Sequence, residues 1–172
     1  MSTNPILTHW NTLSPEAAAA AILPCNGSQT WADNLTALRP FDTPFDLTCT
    51  ADIIWRALSP EAQQQAFDSH PRIGEHQAKS ATAASLALSA TEQSAAQLTD
   101  ETQSQLRDAN RLYEQKFNRI FIVCATGKSP SEILQILRRR LQNEETVELP
   151  EAANQQQEIT RLRLKKWLNV AE

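Results

Sequence analysis

The amino-acid sequence predicts an all-α protein, a single-domain helical bundle over residues 1–172. Three helix starts of one form support this: Ser14-Pro15, Ser59-Pro60 and Ser129-Pro130 each place a serine at the N-cap and a proline at the first helical position. The chain contains three glycines, too few for the tight turns of a β-sandwich or β-barrel. Strand-like alternation is also absent, so helices remain as the predicted elements.

The longest predicted helix runs from Thr99 to Ala125, because apolar residues recur there at steps of three and four. The stripe comprises Leu106, Ala109, Tyr113, Phe117, Ile120, Phe121 and Cys124. Its end, Ile120 to Cys124, is apolar on all sides and is predicted to lie centrally in the fold. Gly127 is predicted to be the C-cap of this helix.

The remaining helices are predicted from shorter signals. One begins at Pro130, and the last runs from about Pro150 to Leu168. Thr43 to Leu58 suits a helix packed on two sides. The segment from Glu75 to Ala96 has few large apolar groups, and we expect an exposed helix, a kinked connection and a second helix starting near Ser89.

Charge and cysteine content exclude several classes of protein. A formal net charge of −4 argues against general binding to nucleic acid or to an anionic membrane. Cys25, Cys49 and Cys124 are odd in number and widely spaced, which favours free thiols in a reducing cytoplasm over a disulfide framework. We identify no signal peptide in the first ten residues, and no apolar run reaches the roughly 18 residues of a membrane span.

His70 is the first candidate for chemistry, because Pro71 holds it out of the helical region at the end of a helix from Pro60 to Asp68. A histidine in one fixed orientation suits proton transfer near neutral pH. A surface or capping histidine is the alternative. Glu75 and His76 do not indicate a metal site, since adjacent helical residues point in different directions and no third ligand is evident.

Ser89 and Glu92 allow two interpretations. They can form a capping box at the start of a helix. Alternatively, Glu92 at a helix N-terminus stays ionised and holds a hydroxyl or a histidine, with the donors and acceptors of Gln93 beside it.

Two arginines near the end of the chain differ in their surroundings. Arg161 shares a polar face with Glu158 and Lys165, whereas Arg163 lies on an apolar stripe with Ile159 and Trp167. A partly buried arginine is a good carboxylate receptor because its planar fork binds two oxygens. An internal salt bridge is the alternative for Arg163.

Two other features are predicted to be structural. Arg138, Arg139 and Arg140 fan around a helix and are expected to form a solvated face near its C-terminus. Cys124, within an apolar segment, is expected to be a core cysteine and not a nucleophile.

Several motifs, taken in order, resemble the family of 2-oxo-4-hydroxy-4-carboxy-5-ureidoimidazoline (OHCU) decarboxylases. They are His70-Pro71-Arg72-Ile73-Gly74-Glu75, Ser89-x-x-Glu92-Gln93, Tyr113-x-x-Lys116-Phe117, Phe121 to Ser129, Leu137-x-x-Arg140-Leu141-x-Asn143, Glu158-Ile159 and Leu162-Arg163-Leu164. The match keeps order and spacing over nearly the whole chain. Asn118 departs from it, because the family usually has glycine after Lys-Phe.

The resemblance implies an all-α homodimer that converts OHCU to (S)-allantoin, the last step from urate, without metal or organic cofactor. It places the catalytic histidine, glutamate and arginine on His70, Glu92 and Arg163, with Arg161 as the alternative arginine. Substrate contacts fall on Pro71, Ser89, Gln93 and the backbone of Phe121, Ile122 and Val123. Two competing interpretations are a non-catalytic helical adaptor with a structural His-Pro turn, and a helical ureide hydrolase, which would need an activated water.

Overall fold

The computed structural model describes residues 4–73, 82–93 and 100–170, except for the side chains of residues 91–93. Within these ranges the secondary structure is helical, with no strand, and the all-α prediction is confirmed. The helices are α1 (Pro5–Thr12), α2 (Pro15–Asn26), α3 (Gln29–Ala37), α4 (Pro44–Ala57), α5 (Pro60–Asp68), α6 (Ala83–Gln93), α7 (Asp100–Phe117), α8 (Pro130–Arg140) and α9 (Glu145–Trp167). None of these helices is long and apolar enough to span a membrane.

The chain divides into two compact units. The first comprises residues 1–66 and 157–172, and the second comprises residues 67–156. Helix α9 therefore contributes its first half to the second unit and its second half to the first. The single-domain organisation over residues 1–172 stays a prediction.

Proline at the first helical position starts five helices. The residue before it caps the helix in each case, with a side-chain oxygen that accepts a backbone N–H of the first turn. These caps are Asn4, Ser14, Thr43, Ser59 and Ser129. All three Ser-Pro starts predicted from the sequence are therefore confirmed.

Buried tryptophans form the centre of the first unit. Trp10 stacks on Phe41 at 6.2 Å between ring centroids and meets Trp167 edge-on at 5.8 Å. Its indole N–H donates to the carbonyl of Ala18 at 2.9 Å, and that of Trp31 donates to the carbonyl of Ala51 at 3.1 Å. Each ring is thus buried without leaving its polar N–H unsatisfied.

The second unit has its core between α7 and α8. The inward stripe of α7 is buried as the sequence predicts, and Tyr113 contacts both Phe117 and Phe121 through its ring. The core residues are Leu106, Ala109, Tyr113, Phe117, Phe121, Val123, Ala125, Ile133, Leu134 and Leu137.

Helix α7 ends at Phe117, so the predicted helix from Thr99 to Ala125 is too long. Asn118 ends it in the left-handed region, with φ of 52°. Asparagine is among the few residues other than glycine that adopt this conformation readily. It can therefore stand at the position where the resemblance implies a glycine. The β-branched segment that follows is buried but not helical. Gly127, with φ of 76°, lies in the turn before α8 and caps no helix that ends at Ala125.

Two helices contain an internal proline, and the one in α9, Pro150, was expected to begin that helix. Helix α2 passes Pro24 and ends at Asn26, and α9 begins at Glu145, one turn and a half before Pro150. The turn before Pro150 is held by Glu148, which is fully buried and bonded to Arg140. Tertiary bonding here outweighs the cost of proline inside a helix.

Two further expectations are wrong. Ser89 lies inside α6, which begins at Ala83, because Thr82 accepts the backbone N–H of Ser85 at 3.1 Å and caps the helix earlier. Helix α4 is not packed on two sides, since Phe45 and Ile53 are 74% and 67% exposed. Most of the first helix expected after Glu75 lies outside the described residues.

Candidate active site

His70 lies just beyond α5, in a turn closed by its backbone N–H on the carbonyl of Phe67 at 3.1 Å. The histidine is 7% exposed and Pro71 is buried, so the surface alternative for His70 is wrong. Arg72 forms an ion pair with Glu114 on α7, with Nη2 to Oε2 at 2.9 Å. The proline and this ion pair together fix the turn that presents the histidine.

The ring of His70 is hydrogen-bonded to Gln156. His70 Nε2 and Gln156 Oε1 are 2.8 Å apart, and the glutamine is completely buried. Gln156 belongs to the half of α9 that lies in the same unit as the histidine. The sequence did not single out this residue, because it is one of three consecutive glutamines with no distinguishing pattern.

The non-helical segment from Ile120 to Val123 is buried throughout, and three backbone groups of Ile122 and Cys124 are bonded to side chains. Gln155 Oε1 accepts the N–H of Cys124 at 2.9 Å, and Arg140 Nη1 donates to the carbonyl of Ile122 at 2.6 Å. Lys128 Nζ donates to the carbonyl of Cys124 at 2.8 Å. Adjacent glutamines of α9 thus bond to His70 and to Cys124, the residue that follows the predicted Phe121–Val123 segment.

Arg140 is the main residue that sequence reasoning misjudged. Arg138 and Arg139 are exposed as predicted, but Arg140 is fully buried. Its guanidinium forms an ion pair with the equally buried Glu148, with Nε 2.8 Å and Nη2 2.5 Å from Oε1. It also lies over the ring of Phe121, with 4.6 Å from Cζ to the centroid. The solvated-face prediction is therefore wrong for this arginine.

Tyr113 and Asn143 complete the environment of Glu148. The tyrosine hydroxyl donates to Oε1, and Asn143 Nδ2 donates to Oε2 at 2.8 Å. Burial, and secondly the hydrogen bond to Glu148, raise the pKa of Tyr113 above its ordinary value. Every oxygen of the buried carboxylate is therefore bonded, as a buried charge requires.

The predicted residues of α6 are only partly described. Ser89 is 2% exposed in the middle of the helix. Because α6 starts at Ala83, Ser89 is not an N-cap and the capping-box alternative is wrong. Glu92 and Gln93 lie in the last turn of α6, and their side chains fall outside the described part of the structure.

The first unit contains the two arginines of the last helix, and the structure separates them. Arg161 binds Asp52, with Nη2 to Oδ2 at 2.7 Å, and Glu158 at 2.7 Å. Hydrogen bonding to Asp52 raises the pKa of Arg161. Arg163 is 1% exposed, and its Nη1 donates to the carbonyl of Pro24 at 3.1 Å. The apolar-stripe argument correctly predicted which arginine is buried.

The described part of the chain is therefore an all-α protein with a buried histidine, His70, and a buried arginine, Arg163. Among the described residues, no three His, Cys, Asp or Glu side chains are grouped so that they could hold a metal ion. The model of the OHCU decarboxylase family matches residues 11–165. The chain belongs to the OHCU decarboxylase family, a family of carboxy-lyases.

Similar proteins act in uric acid degradation. The chain is 33% identical over 144 residues to the uric acid degradation bifunctional protein TTL of Arabidopsis thaliana, covering 83% of this chain and 44% of that one. It is 31% identical over 136 residues to the bifunctional protein PucL of Bacillus subtilis (strain 168), covering 77% and 26% respectively. The chain thus spans less than half the length of these relatives.

Two solved structures share the fold. The crystal structure of OHCU decarboxylase in the presence of (S)-allantoin has a TM-score of 0.74 and 30% identity, covering 86% of this chain and 96% of the other. The crystal structure of (S)-allantoin synthase has a TM-score of 0.68 and 16% identity, covering 94% and 53%. At that identity the second likeness concerns the fold alone.

Proposed function

We propose that this chain catalyses the decarboxylation of OHCU to (S)-allantoin, with His70, Glu92 and Arg163 as its catalytic residues. The observation that carries the proposal is the buried His70, held at Nε2 by Gln156 on a proline-fixed turn. A buried, oriented imidazole is the group that stereospecific proton delivery requires. Membership of the family supports the substrate.

The substrate's own chemistry explains why no cofactor is needed in this proposal. In OHCU the carboxylate and a hydroxyl are attached to C4, and the neighbouring C5, which carries the ureido group, is joined to a ring nitrogen by a double bond. When the C4–carboxylate bond breaks, CO₂ leaves and the electron pair forms a C4–C5 double bond while the electrons of the carbon–nitrogen double bond move onto the ring nitrogen. A proton is then added to C5 on one face only, and the C4 hydroxyl becomes the carbonyl of allantoin as its proton passes to the ring nitrogen, which gives a single enantiomer.

Each proposed residue has a separate task. Arg163 binds the anionic group, since its guanidinium offers paired donors and is 1% exposed. His70 handles the proton, with Glu92 holding or tuning it. Ser89, Pro71, Gln93 and the backbone of Phe121, Ile122 and Val123 contact the substrate. Donors aimed at the developing negative charge of the ring in a dry site are each worth about 2.7–4 kcal/mol.

Circular dichroism of a coupled reaction tests the proposed activity. Urate, urate oxidase and hydroxyisourate hydrolase generate OHCU, which decays unaided to racemic allantoin, so the optical signal reports enzymatic turnover. We expect fast formation of (S)-allantoin with the wild type and none with His70→Asn. His9→Asn, at an exposed position of α1, is the matched control and should match the wild type. Slow decay to racemate with the wild type would favour the helical adaptor.

The same proposal includes a homodimer, for which α4 is the proposed surface. Phe45 and Ile53 are exposed there, each four residues from Cys49. Asp42 and Arg56 each lie seven residues from Cys49, so antiparallel pairing of α4 with a second copy brings opposite charges together. Sedimentation velocity should give a dimer for the wild type and a monomer for Phe45→Ser/Ile53→Ser. Leu112→Ser, 55% exposed on α7, should leave the dimer intact.

We propose the cytoplasm as its location. Within the described part of the chain, Cys25, Cys49 and Cys124 are thiols that form no disulfide, a state that a reducing compartment maintains. Fractionation of the native host's cells, with the protein followed by antibody, tests this. Recovery in a secreted or periplasmic fraction would contradict the proposed location.

A further inference from the structure

We propose that Gln156 is the positioning residue of His70, setting the ring's tautomer and its orientation. The proposal rests on the proposed function, in which His70 handles the proton, and adds a residue that the family motifs do not contain. Its basis is the 2.8 Å contact between His70 Nε2 and Gln156 Oε1, made by a completely buried amide.

The contact suggests where the proton of the ring lies in this proposal. The amide oxygen of Gln156 faces Nε2, and a carbonyl oxygen can only accept a hydrogen bond. The proposal therefore places a proton on Nε2 and, in the neutral imidazole, the basic lone pair on Nδ1. A histidine that transfers a proton to one face of a substrate needs one nitrogen protonated and the other basic. The hydrogen bond to Gln156 determines which nitrogen is which.

The position of Gln156 on the helix adds a second constraint. Its neighbour Gln155 accepts the backbone N–H of Cys124 at 2.9 Å. Two successive residues of one helix thus hold the imidazole of His70 and the backbone N–H of Cys124, the residue that follows the Phe121–Val123 segment proposed to contact the substrate. The helix backbone sets the spacing between these two parts, so loosening either glutamine should change catalytic geometry before it changes affinity. A misplacement of about 1 Å can cost roughly 10²-fold in rate.

Two variants separate hydrogen bonding from packing. Gln156→Met keeps the volume but removes the acceptor, whereas Gln156→Glu keeps an oxygen that accepts from Nε2. We expect Gln156→Met to lower kcat by about 10²-fold with KM within about threefold, and to reduce the enantiomeric excess of (S)-allantoin. Gln156→Glu should recover a large part of kcat. Gln157→Met changes a buried neighbour on the same helix; it is the control and should keep the wild-type kcat.

A measurement without turnover keeps this inference distinct from the proposed activity. Ring ¹⁵N chemical shifts report histidine tautomers, and the His70 signals are assigned by their loss in His70→Asn. We expect the Nε2–H form in the wild type and in Gln157→Met, and a mixture of tautomers in Gln156→Met. A wild-type tautomer and kcat in Gln156→Met would overturn the positioning role. If the wild type were inactive but had a single tautomer that Gln156→Met lost, the proposed function would be overturned and the positioning role of Gln156 would stand.

Discussion

Arg140 and Glu148 form an ion pair in which both side chains are completely buried, with Nη2 2.5 Å from Oε1. The same guanidinium holds the carbonyl of Ile122 at 2.6 Å. One buried cation thus connects α8, the first turn of α9 and the non-helical segment from Ile120 to Val123.

Replacing Arg140 with Met should destabilise the fold strongly, because it leaves the carboxylate of Glu148 buried without its charge partner. We expect a loss of about 3–5 kcal/mol in the free energy of unfolding, measured by urea denaturation. Arg138→Met, at an exposed position of the same helix, should change stability by less than about 0.5 kcal/mol. The double variant Arg140→Met/Glu148→Met should recover much of the loss, since two apolar residues then replace the pair. Equal effects of the Arg138 and Arg140 variants would contradict this account.

Tyr113 should make the fold sensitive to alkaline pH. Its pKa is raised in the folded state, so the folded protein holds the phenolic proton more tightly than the unfolded chain. The resulting stability is fully present below the ordinary tyrosine pKa of about 10 and is lost as pH rises above it. Tyr113→Phe lacks this titration, so its melting temperature should fall less steeply above that pH than that of the wild type. Parallel curves for the two proteins would show that Tyr113 does not contribute.

Arg163 and Arg161 should differ in their effect on turnover. We expect Arg163→Met to lower kcat/KM by about 10²–10³-fold, because a buried cation for the anionic substrate is lost. Arg161→Met removes a partly exposed pair with Asp52 and should cost about 0.2–1 kcal/mol of stability with little effect on turnover. The coupled circular dichroism assay measures the first effect and thermal unfolding the second. If instead Arg161→Met were inactive and Arg163→Met active, the proposed arginine assignment would be reversed.

Asn118 should tolerate glycine but not alanine. Its φ of 52° places it in the left-handed region, where a Cβ costs roughly 1–2 kcal/mol unless a short polar side chain compensates. Asn118→Gly should therefore retain stability to within about 0.5 kcal/mol, while Asn118→Ala should lose about 1 kcal/mol in urea titrations. A more stable Asn118→Ala would mean that the turn relaxes to another conformation.

Helix starts were readable from the sequence because they depend on local chemistry. Ser129, for example, caps α8, and Glu132 Oε2 accepts the backbone N–H of Ser129 at 2.7 Å. Both hydrogen bonds lie within four consecutive residues. The end of α7 was misplaced because a continuous apolar run fits a buried helix or a buried extended segment equally well. The left-handed tendency of Asn118 was the signal that could have decided between them.

The candidate site residues likewise differ in whether their local sequence identifies them. His70 could be singled out because Pro71 beside it fixes the turn, and Arg163 because its helical neighbours are apolar. Arg140 and Gln156 could not, since their partners lie 8 and 86 residues away and each stands in a run of identical residues. Such runs give the same local pattern whether a side chain faces solvent or the interior.

The five proline-started helices have a consequence for how the chain behaves before it folds. A proline restricts the residue before it to extended conformations, and the caps Asn4, Ser14, Thr43 and Ser129 have ψ between 116° and 157°, within that restriction. The unfolded chain already favours the backbone angles required where these helices begin. Folding therefore costs less conformational entropy at these positions, which contributes to the stability of the helices. The helix boundaries should persist through substitutions that change the core packing between them.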